Sequence, residues 1–398
     1  MYYNHCNYVL SAMFVLLFIS SSHAQLPPSA KTILANSPLI NWVGRTAVDT
    51  TGAVFFDWEG VSSTITVAAP YTFITADIVD NCVGTHVGGG SRWAVDITTS
   101  DSGVTPVAHR VATFYTSPFI QRYALFSNQG GMCDPDCNFS GNTTIRLTRL
   151  TESRLSGCSL AGGNLSITGF ASDGVFISSP PPRKIALEFI GDSISAGDLN
   201  DGAGADGSLP QFCGNIPMND DITKTSGARL CLAPPMGFDA DCYFTAWGGI
   251  TLGEMSGGSN PLYESTFSAL GPAAGYGVWN FSEALVDAVV INLGTNDRPS
   301  PPAIDWQNKY VAFVQRIQVL YARAPPAIFL AYGPMTNEYE PFVKNISATL
   351  VAGGVRAFTL DLTLPHAMTG CFGHPSSADN LEIAAKARPQ IAAAMKWA

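Results

Sequence analysis

The apolar residues follow two rhythms along the chain, and the change falls near residue 180. Before it, short runs rich in β-branched and aromatic residues recur: Ala53–Trp58, Ser63–Val67, Tyr71–Ala76, Trp93–Ile97, Arg110–Tyr115, Tyr123–Phe126 and Thr144–Thr148. Gly, Asn, Asp and Pro break them at strand spacing, and no helical period survives for long. Regularly spaced short strands predict an all-β sandwich of jelly-roll type over 25–179. A stiff linker, Ser178-Ser179-Pro180-Pro181-Pro182-Arg183, then marks a domain boundary.

Beyond the linker, strand and helix patterns alternate. Strands are expected at Ile185–Ile190, Cys242–Ala246, Ala288–Leu293, Ala327–Tyr332 and Arg356–Leu362. Several are continuous apolar runs, as parallel strands covered on both faces require. Helical spacing predicts helices over Ile304–Arg323, Glu338–Val351 and Ala378–Trp397, the last with Ser376 and Ser377 as candidate caps. The alternation predicts a three-layer α/β/α domain over 180–398, with its site at the carboxyl ends of the strands. The Gly/Pro-rich stretch Leu199–Asp241 carries Cys213 and Cys231, with Cys242 just beyond. It reads as a disulfide-braced insertion flanking that site.

Composition adds a compartment. Hydrophobic residues make up 46% of the chain and charged residues only 13%, with a net charge of −10. No Lys/Arg cluster occurs, which argues against nucleic acid and anionic membrane surfaces as partners. Tyr8–Ile19 is an apolar core of signal-peptide length, too short to span a bilayer, and small residues lead to Ala24; residues 1–24 read as an export signal. Of nine cysteines, Cys6 leaves with that signal. The even set that remains, Cys82, Cys133, Cys137, Cys158, Cys213, Cys231, Cys242 and Cys371, suits disulfides in a secreted protein. Cys133 and Cys137 lack a neighbouring His or second close pair, so a disulfide is favoured over a metal. Sequons begin at Asn138, Asn142, Asn164, Asn280 and Asn345 and predict surface glycans. The Gly-rich Val87–Ser91 lacks the strand-then-helix setting of a phosphate cradle.

The candidate chemistry gathers at strand ends. The strand Ile185–Ile190 stops abruptly in Gly191-Asp192-Ser193, where a serine hydroxyl stands clear of the sheet. An isolated Gly-Asp-Ser is more often a plain turn. Ser195 offers a second hydroxyl on the same turn. Acyl transfer from serine needs a base and donors for the oxyanion. His374, in the Gly/Pro-bounded loop before the last helix, is the candidate base, and His366 is its rival. Gly249 (or Gly248) after one strand, Asn296 after another and the Ser193 N–H are candidate oxyanion donors.

In that order, Gly191-Asp192-Ser193, a glycine after the next strand, Gly294-Thr295-Asn296-Asp297 and His374-Pro375 resemble the motifs of the SGNH (GDSL-like) hydrolases. The longer stretches Glu188–Gly197, Ile291–Asp297 and Gly370–Pro375 look most like carbohydrate esterase family two. Trp42–Arg45, Phe56–Gly60 and Leu147–Glu152 extend the likeness into the amino-terminal half. The resemblance implies a jelly-roll domain joined to an SGNH domain with a flavodoxin-like parallel sheet. It implies Ser193 as nucleophile, His374 as base, and Ser193, Gly249 and Asn296 as the oxyanion hole. It also implies removal of O-acetyl groups from plant polysaccharides such as xylan or glucomannan, with no metal and no cofactor; a monomer is expected.

Two departures change the expectation. The aspartate that often lies three residues before the histidine is Cys371, and the aspartate of the esterase family's Gly-Cys-Asp-x-His-Pro form is Phe372. A Ser–His dyad is therefore expected, with a backbone carbonyl or a distant carboxylate orienting His374; Asp361 is the distant candidate. The family's Ser-Gly becomes Gly248-Gly249, which keeps the donor glycine and loses a hydroxyl. The competing readings are an esterase or lipase for other small acyl esters, and a carbohydrate-binding protein with a degenerate site.

Overall fold

The computed structural model describes residues 26–81, 90–99, 108–117, 119, 121–127, 141–152, 165–201, 213, 217–252, 277–283, 285–297 and 304–397. Cys82, Cys133, Cys137, Cys158, Asn138, Asn164, the export signal and most of Val87–Ser91 lie outside them.

Two antiparallel sheets face each other in the amino-terminal half. One orders its strands β3(Ala47–Val48), β4(Val54–Phe55), β11(Leu165–Ser172), β6(Phe73–Asp80), β9(Arg122–Ser127), with β1(Lys31–Leu34) also on β11. The other runs β12(Val175–Ile177), β5(Ser62–Ala68), β10(Thr143–Arg149), β7(Arg92–Thr99), β8(His109–Tyr115), with β2(Asn41–Val43) on β5. Strand β6 alternates between partly exposed and buried along its length, the period of a half-buried strand. Ile74, Ala76 and Ile78 point into a core shared with Ile65, Val67, Trp93, Val95, Ile145, Leu147 and Phe170. The Trp93 and Phe114 rings stack at 6.5 Å, and Phe56 meets the Trp93 edge at 5.8 Å.

The second half is a five-stranded parallel sheet, ordered β14(Ala240–Ala246), β13(Ile185–Gly191), β15(Ala288–Asn292), β16(Ala327–Tyr332), β17(Ala357–Asp361). Counted from the linker the order is 2-1-3-4-5, the doubly wound pattern whose switch point lies beside the first strand. Helices cover both faces. Strand residues alternate between two cores: Val289, Ile291, Ile328 and Leu330 pack with the helices Ile304–Leu320 and Glu340–Ala352, while Val290, Phe329 and Leu360 pack with the helix Ser377–Met395. The sandwich core is continuous with the first of these layers. No helix of the described residues is long and apolar enough to cross a membrane.

The two halves are locked by buried charge. Arg45, from the sandwich, reaches Glu188 on β13 at 2.7 Å, both essentially excluded from solvent. Thr245 and Tyr321 hydroxyls also donate to Glu188, each at 2.7 Å. Arg92 spans to Asp201 at 2.9 Å and to the carbonyls of Met218 and Asp220.

The expected elements shift in places. The strand expected at Ala53–Trp58 is confined to Val54–Phe55, because Phe56–Gly60 turns away to meet the second domain. The stretch expected as an insertion, Leu199–Asp241, contains short helices at Pro217–Asn219, Ile222–Lys224 and Ser226–Leu230. Leu230 and Ile222 are buried in the same core as Ile383 and Ala387, so this stretch completes one face of the sheet. It is disulfide-braced: Cys231 pairs with Cys242, and Cys213 with Cys371.

Candidate active site

Strand β13 ends at Gly191, and the chain turns at once into a single helical turn, Ser193–Ala196. Asp192 caps it, accepting from the Ile194 N–H at 3.0 Å, and Gly197 closes it at φ 80°. A side chain at Gly191 would collide with Ser195 and with the Asn292 carbonyl, so only glycine fits between the strand end and this turn. Ser193, at the first helical position, has an N–H without an intrahelical acceptor.

His374 approaches from the loop before the last helix. Its Nε2 is 2.9 Å from Ser193 Oγ, and its Nδ1 is 3.1 Å from the Cys371 carbonyl oxygen. A carbonyl only accepts, so Nδ1 carries the proton and Nε2 is the lone pair facing the serine. The same carbonyl accepts the His374 backbone N–H at 3.0 Å. The turn that makes this geometry puts Phe372 at φ 52° and Gly373 at φ 76°. Cys371 is anchored by its disulfide to Cys213. Downstream, Ser376 and Asp379 form a reciprocal cap on the last helix, and Asp379 also accepts from the Thr369 N–H at 2.7 Å. Those bonds hold the Asp379 carboxyl below its usual range against the opposing effect of burial.

The rivals are elsewhere. His366 is exposed and bonds Glu382 at 3.3 Å and the Ala367 carbonyl at 3.0 Å. Asp361 pairs with Lys386 at 2.8 Å and with Thr363. The Ser195 N–H is tied to the Asp192 carbonyl, and its hydroxyl lies against Gly191, behind the turn.

The candidate donors converge on the same turn. The Trp247 N–H donates to the Gly191 carbonyl at 3.2 Å, and Ile250 N–H closes a tight turn on the Trp247 carbonyl at 3.1 Å. Gly249 sits in that turn at φ 80°. The Asn296 amide donates to Asp192 Oδ2 at 3.3 Å and to the Ile250 carbonyl at 3.2 Å, which joins all three donor segments. Asp297 braces the arrangement by accepting from the Leu252 N–H at 3.1 Å.

Asp192 and two glutamates of the sandwich complete the site, in roles that the sequence does not assign. Asp192 is buried, and burial, with nearby Asp297 adding to it, pushes its carboxyl up to about 7 against the pull of the Ile194 and Thr295 bonds. From the sandwich, Glu59 accepts from the Ala246 N–H at 3.2 Å and Glu152 from the Gly248 N–H at 2.9 Å. All three stand in stretches that resemble the esterase family, Gly191–Ser193, Phe56–Gly60 and Leu147–Glu152, but nothing in the sequence shows which backbone groups they meet. Among the described residues no group of His, Cys, Asp and Glu could hold a metal ion.

A hydroxyl, an oriented imidazole and backbone and amide donors at the switch point of a doubly wound sheet are the parts an acyl-transfer site needs. No family model matches the chain. It is 27% identical over 249 residues to the cellulase/esterase CelE of Acetivibrio thermocellus, covering 59% of this chain and 29% of that protein. It is 27% identical over 266 residues to an acetylxylan esterase / glucomannan deacetylase of Cellvibrio japonicus, covering 61% of this chain and 67% of that one. The chain thus spans less than a third of the length of the first relative. Among solved structures, a family two carbohydrate esterase from Clostridium thermocellum in complex with cellohexaose superposes with a TM-score of 0.70 at 21% identity, covering 90% of this chain and all of that one. The shared fold therefore takes in both domains. The relatives are esterases by name, and the structural neighbour is of the family that the sequence motifs resemble.

Proposed function

We propose that the chain is a secreted, monomeric serine esterase that removes O-acetyl groups from plant cell-wall polysaccharides, xylan and glucomannan among them. Residues 1–24 would serve export, 25–179 form a jelly-roll domain and 180–398 an SGNH hydrolase domain, and no metal or cofactor takes part. The observation that carries the reading is the 2.9 Å contact between His374 Nε2 and Ser193 Oγ, with the imidazole held by the Cys371 carbonyl. The names of the two relatives support the substrate class.

In this reading His374 Nε2 takes the Ser193 proton as Oγ attacks the acetyl carbonyl. The oxyanion is received by the N–H groups of Ser193 and Gly249 and by the Asn296 amide. Both present bonds of that amide are long, 3.2 and 3.3 Å, and an oxyanion outcompetes the neutral Ile250 carbonyl for one of its hydrogens. Collapse breaks the ester bond, and His374 returns the proton to the departing sugar oxygen. Water, deprotonated by the same imidazole, then attacks the acetyl-serine; the bond from the acyl carbon to Oγ breaks, His374 returns the proton to Ser193 Oγ, and acetate leaves. A carbonyl partner keeps the imidazole in the right tautomer but lends the imidazolium less stabilisation than a carboxylate would.

The test is acetate release from acetylated xylan, acetylated glucomannan and a short aryl acetate, by wild type and Ser193→Ala. Release by wild type and its loss in the variant are expected. Glycan binding without release would leave a binding protein, and a preference for long acyl chains would favour a lipase.

A further inference from the structure

We propose that Glu152 of the β-sandwich is a positioning residue for the oxyanion turn of the parallel-sheet domain, with Glu59 beside it, so that the ester-cleaving site is assembled from both domains. The proposal rests on the reading of Gly249 as an oxyanion donor.

Three successive N–H groups leave the end of β14. Ala246 donates to Glu59 Oε1 at 3.2 Å, Trp247 to the Gly191 carbonyl at 3.2 Å and Gly248 to Glu152 Oε2 at 2.9 Å. The next N–H in the run is that of Gly249. The Thr245–Ala246 and Trp247–Gly248 peptide planes are thereby held by two carboxyl groups from another domain, 187 and 96 residues away in sequence, and the plane between them by the Gly191 carbonyl. A carboxyl group accepts an N–H bond through its carbonyl oxygen whether or not it is ionised, and about twice as strongly when it is, so either glutamate can hold a plane in place.

The sandwich is built to deliver these two side chains. Gly60 N–H donates to the Arg149 carbonyl and Arg149 N–H to the Val61 carbonyl, each at 3.0 Å, so the Phe56–Gly60 and Leu147–Glu152 stretches run as one corner. Buried Arg149 bonds the Asp57 carboxylate and carbonyl across the same corner. At Gly60, φ 72°, a Cβ would lie 2.5 Å from the Phe244 ring, so glycine lets the corner sit flat on β14.

The arrangement is costly, which argues against mere filling. Glu59 and Glu152 are both fully buried, and taking a carboxylate out of water costs several kcal/mol. The Glu59 carboxyl is held well above its ordinary range, chiefly by burial and also by the neighbouring Glu152. An apolar pair of similar volume would fill this space more cheaply, but it would leave the Ala246 and Gly248 N–H groups without these acceptors. Misplacing a catalytic group by 1 Å costs on the order of 10²-fold in rate.

The full-length chain is compared as wild type, Glu152→Gln, Glu152→Asp, Glu152→Ala and Ser193→Ala. Steady-state kinetics on an aryl acetate are read beside thermal melts and the affinity of an aryl boronic acid, whose tetrahedral adduct uses the same donors. Glutamine keeps an acceptor at the same reach, so kcat stays within about threefold. Aspartate keeps the charge and loses the reach, and alanine loses both. Each drops kcat about 10–100-fold with KM little changed, and boronate affinity falls in parallel. A folded alanine variant at wild-type kcat, a loss confined to KM, or aspartate outperforming glutamine would overturn the proposal. Should alanine not fold, the glutamine and aspartate variants decide. Wild-type turnover by Ser193→Ala would sink the reading of this turn as the ester-cleaving site, whereas a dead Ser193→Ala with an unimpaired Glu152→Ala sinks only the positioning role.

Discussion

Asp192 makes the stability of this fold depend on pH in a direction opposite to that of most paired carboxylates. Its carboxyl is raised from 3.8 to about 7, first by burial and then by Asp297. Below 3.8 both folded and unfolded chains carry the proton, and the native state is spared a buried charge. Between 3.8 and 7 the native state binds more protons than the unfolded one, so stability falls as pH rises, and above 7 the loss is complete. At 1.36 kcal/mol per unit, the fall amounts to about 4 kcal/mol at most. Asp192→Asn keeps an oxygen for the Ile194 N–H and removes the titration. Its absolute stability also reflects the lost acceptor for Asn296, so the readout is the difference in slope. Urea unfolding of both proteins from pH 4.5 to 8 should show wild type losing stability relative to the variant by a few kcal/mol, most steeply between pH 5 and 7. Parallel curves for the two proteins would contradict a raised Asp192 carboxyl. The variant should also turn over more slowly, because Asn296 loses the bond that ties it to the Ser193 turn.

Further outcomes follow from the same geometry. His374→Ala should lower kcat by about 10²–10⁴-fold, the usual worth of a general base, whereas His366→Ala should leave it near wild type; the reverse pattern in steady-state assays would reassign the base. Cys371→Ser should retain much of its kcat in a folded protein, since the backbone carbonyl and not the sulfur faces His374; near-total loss in a variant with native circular dichroism would contradict this. Arg45→Ala should destabilise the chain by about 3–5 kcal/mol, because it strands Glu188 in the interior; replacing Arg45 and Glu188 together with methionine should cost less, as denaturation midpoints would report.

What was legible in the sequence was periodic or local. Ala327–Tyr332 announces itself as a buried parallel strand because all six residues are apolar, and all six are buried. The short spacing from strand end to Ser193, and from His374 to its helix cap, also survives in one dimension. The missed parts depend on contacts between distant segments. Leu165–Ser172 pairs with three other strands, yet Ser166, Thr168, Gly169 and Ser172 dilute its apolar signal. The Cys371 carbonyl that orients His374 exists at every residue, so no side chain marks it; only the missing aspartate hinted that the backbone would take its place. Glu59 and Glu152 look like ordinary strand-end carboxylates until the second domain closes over them.

The proposed reaction passes through a covalent acetyl-serine at position 193, formed with His374 as base. The most direct measurement is acid quenching during turnover of an aryl acetate, followed by peptide mass spectrometry. One acetyl group is expected on Ser193, disappearing on chase and absent in Ser193→Ala and His374→Ala. Steady acetate release with Ser193 unmodified, or an acetyl group on Ser195 instead, would contradict it.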